Sequence, residues 1–216
     1  KENSKISKIV TNNGNTLAVR FPKHKLFKNL LDQLTYPLAA PSANISSRLS
    51  TVQAKDVKEE FGSKIKYILD GGKCSIGLES TIIDLIKKPT ILRLGVLNVS
   101  KIKKILRKKI NISISPKKKI APGQSLLHYS PGIPLRMNIK NPEKNEAYIL
   151  IKKRKINLNN YYYLSKKNNL DEAAKNLYSC LRRIKKNGYK SIAVEKINNI
   201  GIGRSINDRL KRASKY

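Results

Sequence analysis

The residues best suited to chemistry lie in a few short segments. Ala39-Ala40-Pro41-Ser42-Ala43-Asn44-Ile45-Ser46-Ser47 joins small residues, which let a backbone approach a ligand, to hydroxyl and amide groups that can hold phosphate or ribose. An ordinary polar loop has the same make-up. Gly71-Gly72-Lys73-Cys74-Ser75-Ile76-Gly77-Leu78-Glu79-Ser80-Thr81-Ile82-Ile83-Asp84 delivers a Glu-Ser-Thr triplet to the mouth of an apolar strand. It is not a Walker-type phosphate loop, because no Gly-Lys-Ser/Thr follows the glycines at the required spacing; a plain hairpin is the alternative. Arg20 in Val19-Arg20-Phe21-Pro22 and Arg93 in Ile91-Leu92-Arg93-Leu94-Gly95 each end an apolar strand. A guanidinium so placed needs a definite partner, and its planar fork suits carboxylate or phosphate. A structural ion pair with an acidic side chain would serve equally.

The elements that must position these groups follow from periodicity. Residues 16–20 read as a strand, and His24 to Leu34 as an amphipathic helix with Leu26, Leu30 and Leu31 inward. Ser50-Thr51-Val52-Gln53 has the spacing of a capping box, which predicts a helix over 51–61 with Ser50 as its N-cap. Strands are expected at 66–69, 80–85 and 90–94, with Asp70-Gly71-Gly72 turning the chain after the first. Periodicity then fades between 111 and 135, where Ser115-Pro116-Lys117-Lys118-Lys119 and Ala121-Pro122-Gly123 read as linker. Leu126-Leu127-His128-Tyr129-Ser130-Pro131-Gly132 is unlike a spacer, since its apolar, aromatic and titratable side chains suit docking. A second alternation follows: strands at 147–151, 161–164 and 191–194, and helices at 171–186 and 203–213. It predicts a small unit with a parallel sheet covered by helices. In the last helix, Ile202, Ile206 and Leu210 have the spacing of a packed face.

Composition sets wider bounds. The chain has 216 residues, 39% of them apolar, enough for real cores. Its net charge of +32 comes from 46 basic and 14 acidic residues, and 35 of the basic residues are lysine. Such a field attracts nucleotides and RNA. Wealth in Lys, Asn and Ile also follows from AT-rich coding, so a generally solvated basic surface competes with a dedicated nucleic-acid face. Cys74 and Cys180 stand far apart without Cys or His neighbours, which indicates neither a disulfide framework nor a zinc site. No run is long and apolar enough for a membrane span, and Lys1-Glu2-Asn3-Ser4 has neither initiator Met nor signal-peptide character. A cytoplasmic, N-terminally truncated chain is the expectation.

Taken in order, the Ser-Ala-Asn segment, Glu-Ser-Thr-Ile-Ile-Asp, Leu-Arg-Leu-Gly, the Pro-Gly before His-Tyr-Ser-Pro, and the terminal Gly-Ile-Gly-Arg-Ser-Ile-Asn-Asp-Arg-Leu resemble the YrdC-like threonylcarbamoyladenylate synthases, in their long two-domain branch. The resemblance implies an α/β chain: part of a YrdC-like twisted-sheet domain at 1–110, a linker or lid at 111–135 and a small Rossmann-like α/β domain at 136–216. It also implies a reaction, in which L-threonine, bicarbonate and ATP give threonylcarbamoyl-AMP and pyrophosphate. A tRNA-modifying transferase complex then uses the product.

Carried over by motif position, threonine-binding roles fall on Arg20, Ala40 (through its backbone) and Ser80, and ATP-binding roles on Thr16, Ser42, Asn44, Ser50, Arg93 and Tyr129. Mg²⁺ would accompany ATP, held by phosphates and water rather than by a protein metal site. No residue stands out as nucleophile or general base, and positioning with electrostatic stabilisation can suffice for such a reaction. His24, in an Arg-x-Pro-x-His pattern, reads as structural. The family also carries an upstream Thr-rich strand and a Lys/Arg phosphate clamp that have no counterpart in these residues, so the chain by itself is expected to be inactive. The competing class is a basic double-stranded RNA or tRNA-binding module of the same fold without synthase activity, and a third reading makes the C-terminal unit an independent docking module.

Overall fold

The computed structural model describes residues 6–116, 120–125 and 128–215. Lys1-Glu2-Asn3-Ser4, the lysine run at 117–119 and Leu126-Leu127 lie outside the described residues. Two sheets organise the chain. The first has the order β1-β2-β3, with β1 (Ile82–Asp84) antiparallel to β2 (Thr90–Arg93) and β2 parallel to β3 (Asn111–Ile112). Helix α3 (Val99–Leu106) crosses between the parallel pair. The Asn98 side chain accepts from the Ser100 N–H at 2.9 Å to start it, and Arg107 ends it in the left-handed region at φ 48°. Ile91, Leu94, Ile102 and Ile110 form the small core beneath.

The second sheet is parallel throughout, in the order β4-β7-β5-β6: β4 (Leu135–Met137), β5 (Ala147–Leu150), β6 (Tyr161–Tyr163) and β7 (Ile192–Val194). Every residue of central β5 is buried, as a parallel strand covered on both faces must be. Helices α4 (Leu170–Lys186) and α5 (Gly203–Ala213) pack on the same face, where Ile149, Leu164, Leu177, Leu181, Ile184, Ile206 and Leu210 share one core. Opposite them lies a thinner layer of Tyr148, Leu150 and Ala193 with Ile139, Tyr161 and Tyr163. The α/β class and the parallel second sheet match the sequence reading, but the helices cover one face only. Cys180 is buried, which pushes its thiol up to about 12, whereas Cys74 is exposed. Among the described residues no helix is long and apolar enough to cross a membrane.

Some expectations fail in the first region. Residues 16–20 and 66–69 form no strand; β-branched patterning yields a strand only where a neighbour accepts its backbone, and Val19 and Tyr67 face solvent. Helix α1 (Lys25–Asp32) forms, yet Leu26 and Leu30 are exposed rather than inward and Leu31 is only half-buried. Helix α2 (Ala54–Phe61) begins after Gln53, not Ser50. Its start is tied by Asp56, whose carboxylate accepts from Val52 N–H at 2.9 Å and from Gln53 Nε2 at 3.0 Å. The cap role expected of Ser50 is thereby taken by a carboxylate one turn into the helix.

Candidate active site

The site is assembled around Glu79. Chain geometry fixes this residue first, because Leu94-Gly95 crosses directly over Glu79-Ser80-Thr81. A Cβ on Gly95 would lie 2.6 Å from the Glu79 carbonyl oxygen and 2.2 Å from the Thr81 nitrogen, so only glycine permits the approach. The Glu79 carboxylate then accepts four side-chain contacts: Ser50 Oγ; Tyr178 OH at 3.0 and 3.1 Å to its two oxygens; and Arg209 Nε at 2.8 Å. Burial works against its charge, but Arg209 and the hydrogen bonds from Ser50 and Arg209 outweigh that and hold Glu79 below the usual carboxylate range.

Arg93 leaves β2 beside this carboxylate. Its Nε donates to the Ser80 carbonyl at 3.0 Å, and its Nη1 reaches the Pro122 carbonyl at 3.5 Å. Burial lowers its basicity, partly offset by Tyr129 and Glu79, while the Arg209 and Arg20 cations lower it further. Three guanidiniums therefore converge where few carboxylates are available, a field that favours an anion. Linker residues close the corner. Gln124 docks the linker on β2 by donating to the Leu92 and Ser113 carbonyls, both at 3.1 Å. Gly123, at φ 81°, keeps a gap: a Cβ there would stand 2.6 Å from the Tyr129 hydroxyl and 3.0 Å from Arg93 Cδ.

Tyr129 itself is 1% exposed and adopts φ 61°, a conformation unusual for a bulky residue that points to a functional constraint. Its ring lies 4.9 Å from the Arg209 guanidinium and 5.8 Å from the Tyr178 ring. Burial, opposed by Arg209, pushes its phenol up, and burial lowers the basicity of neighbouring His128, leaving that imidazole neutral near pH 7. Asn44 Oδ1, Thr81 Oγ1, His128 Nδ1 and Tyr129 OH are buried without a hydrogen-bond partner among the described residues. Such atoms carry a desolvation cost that a polar ligand would relieve.

The Ser-Ala-Asn loop is stitched to the same corner. Asn44 Nδ2 donates to the Ile45 and Arg48 carbonyls at 2.9 and 3.2 Å, Thr51 Oγ1 to the Ala43 carbonyl at 3.1 Å, and Ser130 N–H to the Ser47 carbonyl at 2.9 Å. Thus Ser50, Ser80, Arg93 and Tyr129 meet around Glu79, with Asn44 on the loop that borders them and Arg20 within electrostatic reach of Arg93. Thr16, Ala40 and Ser42 sit on exposed irregular segments, and neither hydroxyl makes a side-chain hydrogen bond among the described residues. His24 donates from Nε2 to the Gly71 carbonyl at 3.1 Å and so steadies the turn at 70–72.

Sequence reasoning missed Glu79 as the hub and missed its partners Tyr178 and Arg209. A signal for Arg209 was present: Ile206, Arg209, Leu210 and Ala213 share one helical face, so a cation sat within an apolar stripe. Reading that stripe only as packing overlooked what a buried guanidinium must bind.

Together these features define a two-unit α/β chain whose polar, cation-rich corner is built from both units and the segment between them. Residues 1–95 match the Sua5/YciO/YrdC family, described as telomere recombination, and residues 97–215 match the C-terminal domain of threonylcarbamoyl-AMP synthase. Threonylcarbamoyl-AMP synthase of Pyrococcus abyssi is 31% identical over 98% of the chain and 67% of the relative. The Bacillus subtilis enzyme of that name is 29% identical over 97% of the chain and 66% of its own length; for Schizosaccharomyces pombe the values are 30%, 98% and 60%. The crystal structure of P. abyssi Sua5 complexed with L-threonine superposes with a TM-score of 0.87 at 30% identity, covering 99% of the chain and 68% of that protein. The chain belongs to the threonylcarbamoyl-AMP synthase family, and spans roughly two thirds of the length of these relatives or somewhat less. Relatives of this kind do not favour an RNA-binding module without synthase activity.

Proposed function

We propose that the protein carrying this chain is a threonylcarbamoyl-AMP synthase, and that these residues supply the threonine-and-nucleotide wall of its site. The observation that carries the reading is the corner where Arg93, Tyr129 and Ser50 gather at Glu79 beside buried polar atoms that have no hydrogen-bond partner among the described residues. In this reading 1–110 form the catalytic wall, 111–135 the lid and 136–216 the supporting domain. Arg20 pairs with the threonine carboxylate, the Ala40 backbone and Ser80 fix its remaining polar groups, and Thr16, Ser42, Asn44, Ser50, Arg93 and Tyr129 hold ATP.

The threonine amine displaces water from bicarbonate, a C–N bond forming as a C–O bond breaks, and an oxygen of the resulting carbamate attacks the α-phosphate of ATP; the α–β phosphoanhydride bond breaks and pyrophosphate leaves. Arg93 faces negative charge as it builds at phosphorus, and the hydroxyls orient oxygens without adding charge. Mg²⁺ is expected on the phosphates and their water. Glu79 is not available to it, because that carboxylate is already bound by Ser50, Tyr178 and Arg209. Tyr129, packed over the corner with its hydroxyl beside Arg93, fits a lid that keeps water from the mixed anhydride. A cytoplasmic setting, where a transferase complex would pass the product to tRNA, suits this chemistry, and the basic surface suits tRNA nearby.

The test is pyrophosphate release from ATP by the complete protein that carries the chain. Release that requires both L-threonine and bicarbonate supports the reading; ATP turnover indifferent to threonine, or none, overturns it. Tyr129→Ala is expected to shift turnover toward free AMP at the expense of retained product.

A further inference from the structure

Arg209, on α5 of the C-terminal unit, is 1% exposed, and each part of its guanidinium is engaged. Nε meets Glu79 Oε2 at 2.8 Å, Nη2 the Leu94 carbonyl at 2.7 Å, Nη1 the Asp208 carboxylate at 2.7 Å, and the group lies 4.9 Å from the centre of the Tyr129 ring. These contacts converge on the nucleotide end of the corner. Leu94 directly follows Arg93, Glu79 holds Ser50, and the Tyr129 hydroxyl and the Arg93 side chain both flank Gly123. An ion pair serving only to glue two units together would explain the burial. It would not explain why the cation sits against a left-handed, buried tyrosine whose hydroxyl, near Arg93, has no hydrogen-bond partner among the described residues.

We propose that Arg209 is a positioning residue for the nucleotide: it sets the pose of Tyr129 through the ring and that of Ser50 through Glu79, so ATP affinity depends on a C-terminal helix that does not touch ATP. This rests on the synthase reading above. A planar fork is required, because one group must meet a carboxylate edge-on, a carbonyl at its other end and an aromatic face at once; a lysine ammonium keeps the charge but offers no such plane. Threonine contacts, assigned to Arg20, Ala40 and Ser80, lie outside this reach except through the backbone next to Glu79.

Steady-state kinetics on the complete protein test it. Arg209→Lys is expected to raise KM for ATP about tenfold while KM for threonine stays within about twofold. A second variant separates positioning from stability. Glu79→Gln with Arg209→Met removes both charges together, which tends to restore stability where a single removal would not; its melting temperature should lie near wild type while KM for ATP remains raised. Unchanged KM for ATP in a folded Arg209→Lys, equal rises for both substrates, or a double variant that recovers stability and ATP binding together would each overturn the proposal. If Arg209→Lys does not fold, the double variant decides alone. Those outcomes in an active wild type refute the positioning role only, whereas a wild type without threonine-dependent pyrophosphate release refutes the synthase reading and this inference with it.

Discussion

The two halves of the chain hold themselves together differently. In the C-terminal unit β5 is buried along its whole length and α4 buries Ala173, Ala174, Leu177, Tyr178, Leu181 and Ile184 in helical register. Over residues 16–80 no strand forms, α1 buries nothing, and Phe21, Tyr36 and Tyr67 face solvent. Leu49 and Val52 are well buried in that stretch, and they belong to the core cluster that contains α4 and α5. The binding loop of the first region is thus ordered by the second. The lesson is that polar binding residues can be held by a neighbouring unit's core when their own segment has little of one.

Breaking the link between the two should have the largest effect. Glu79→Ala takes one of two carboxylates from buried Arg209, leaving only Asp208, and strips Ser50 and Tyr178 of their acceptor; it is expected to cost about 3–5 kcal/mol, read by denaturant unfolding, and a loss below about 1 kcal/mol would mean that the halves do not depend on this pair. Leu177→Ala, at a site 0% exposed, should cost about 2–5 kcal/mol by opening a cavity. Acid is gentler. Because Glu79 titrates below its unfolded value, its stabilisation is present above the usual carboxylate range and is lost as pH falls through the lowered value. Melting temperature should therefore decline more steeply in acid for wild type than for Glu79→Gln, and parallel curves would contradict the assignment. Asn169→Ala removes the side chain that accepts from Glu172 N–H at 2.9 Å at the start of α4 and should cost about 1 kcal/mol in the same unfolding measurement. Leu26→Ala, 39% exposed on α1, should stay within about 0.5 kcal/mol; a large loss there would show that α1 has a covering partner.

Legibility in the sequence followed the same divide. Strands β5 to β7 and helices α4 and α5 were readable because apolar period and neighbouring turns agreed within each element. The elements α3, β3 and β4 were not, since α3 is crowded with lysines and the short strands carry too few residues to show a period. Residues 16–20 had the right pattern but no ladder, a tertiary condition that pattern cannot report. At the site, motif order brought out Ser50, Arg93 and Tyr129, while their convergence on Glu79 was invisible because Tyr178 and Arg209 lie 99 and 130 residues further along. Ser50 is the sharpest case: its spacing to Gln53 imitates a helix cap, and its actual acceptor is Glu79.

The way the C-terminal helices grip the rest of the chain bears on how such a protein can change over time. Arg182 binds the Leu49 carbonyl, Arg209 that of Leu94, and Arg212 those of Ile114 and Ser125, each at 2.7 Å, while Ser205 binds the Gly95 carbonyl at the same distance. Main-chain oxygens are present whatever side chain a residue carries, so these particular bonds leave the gripped positions other than Gly95 open to change in sequence as long as their path is kept. The arginines have no such freedom. Substitutions tolerated at this junction should therefore accumulate on the gripped side and be purged on the gripping side, an asymmetry that comes from recognising the course of a backbone instead of the identity of its residues.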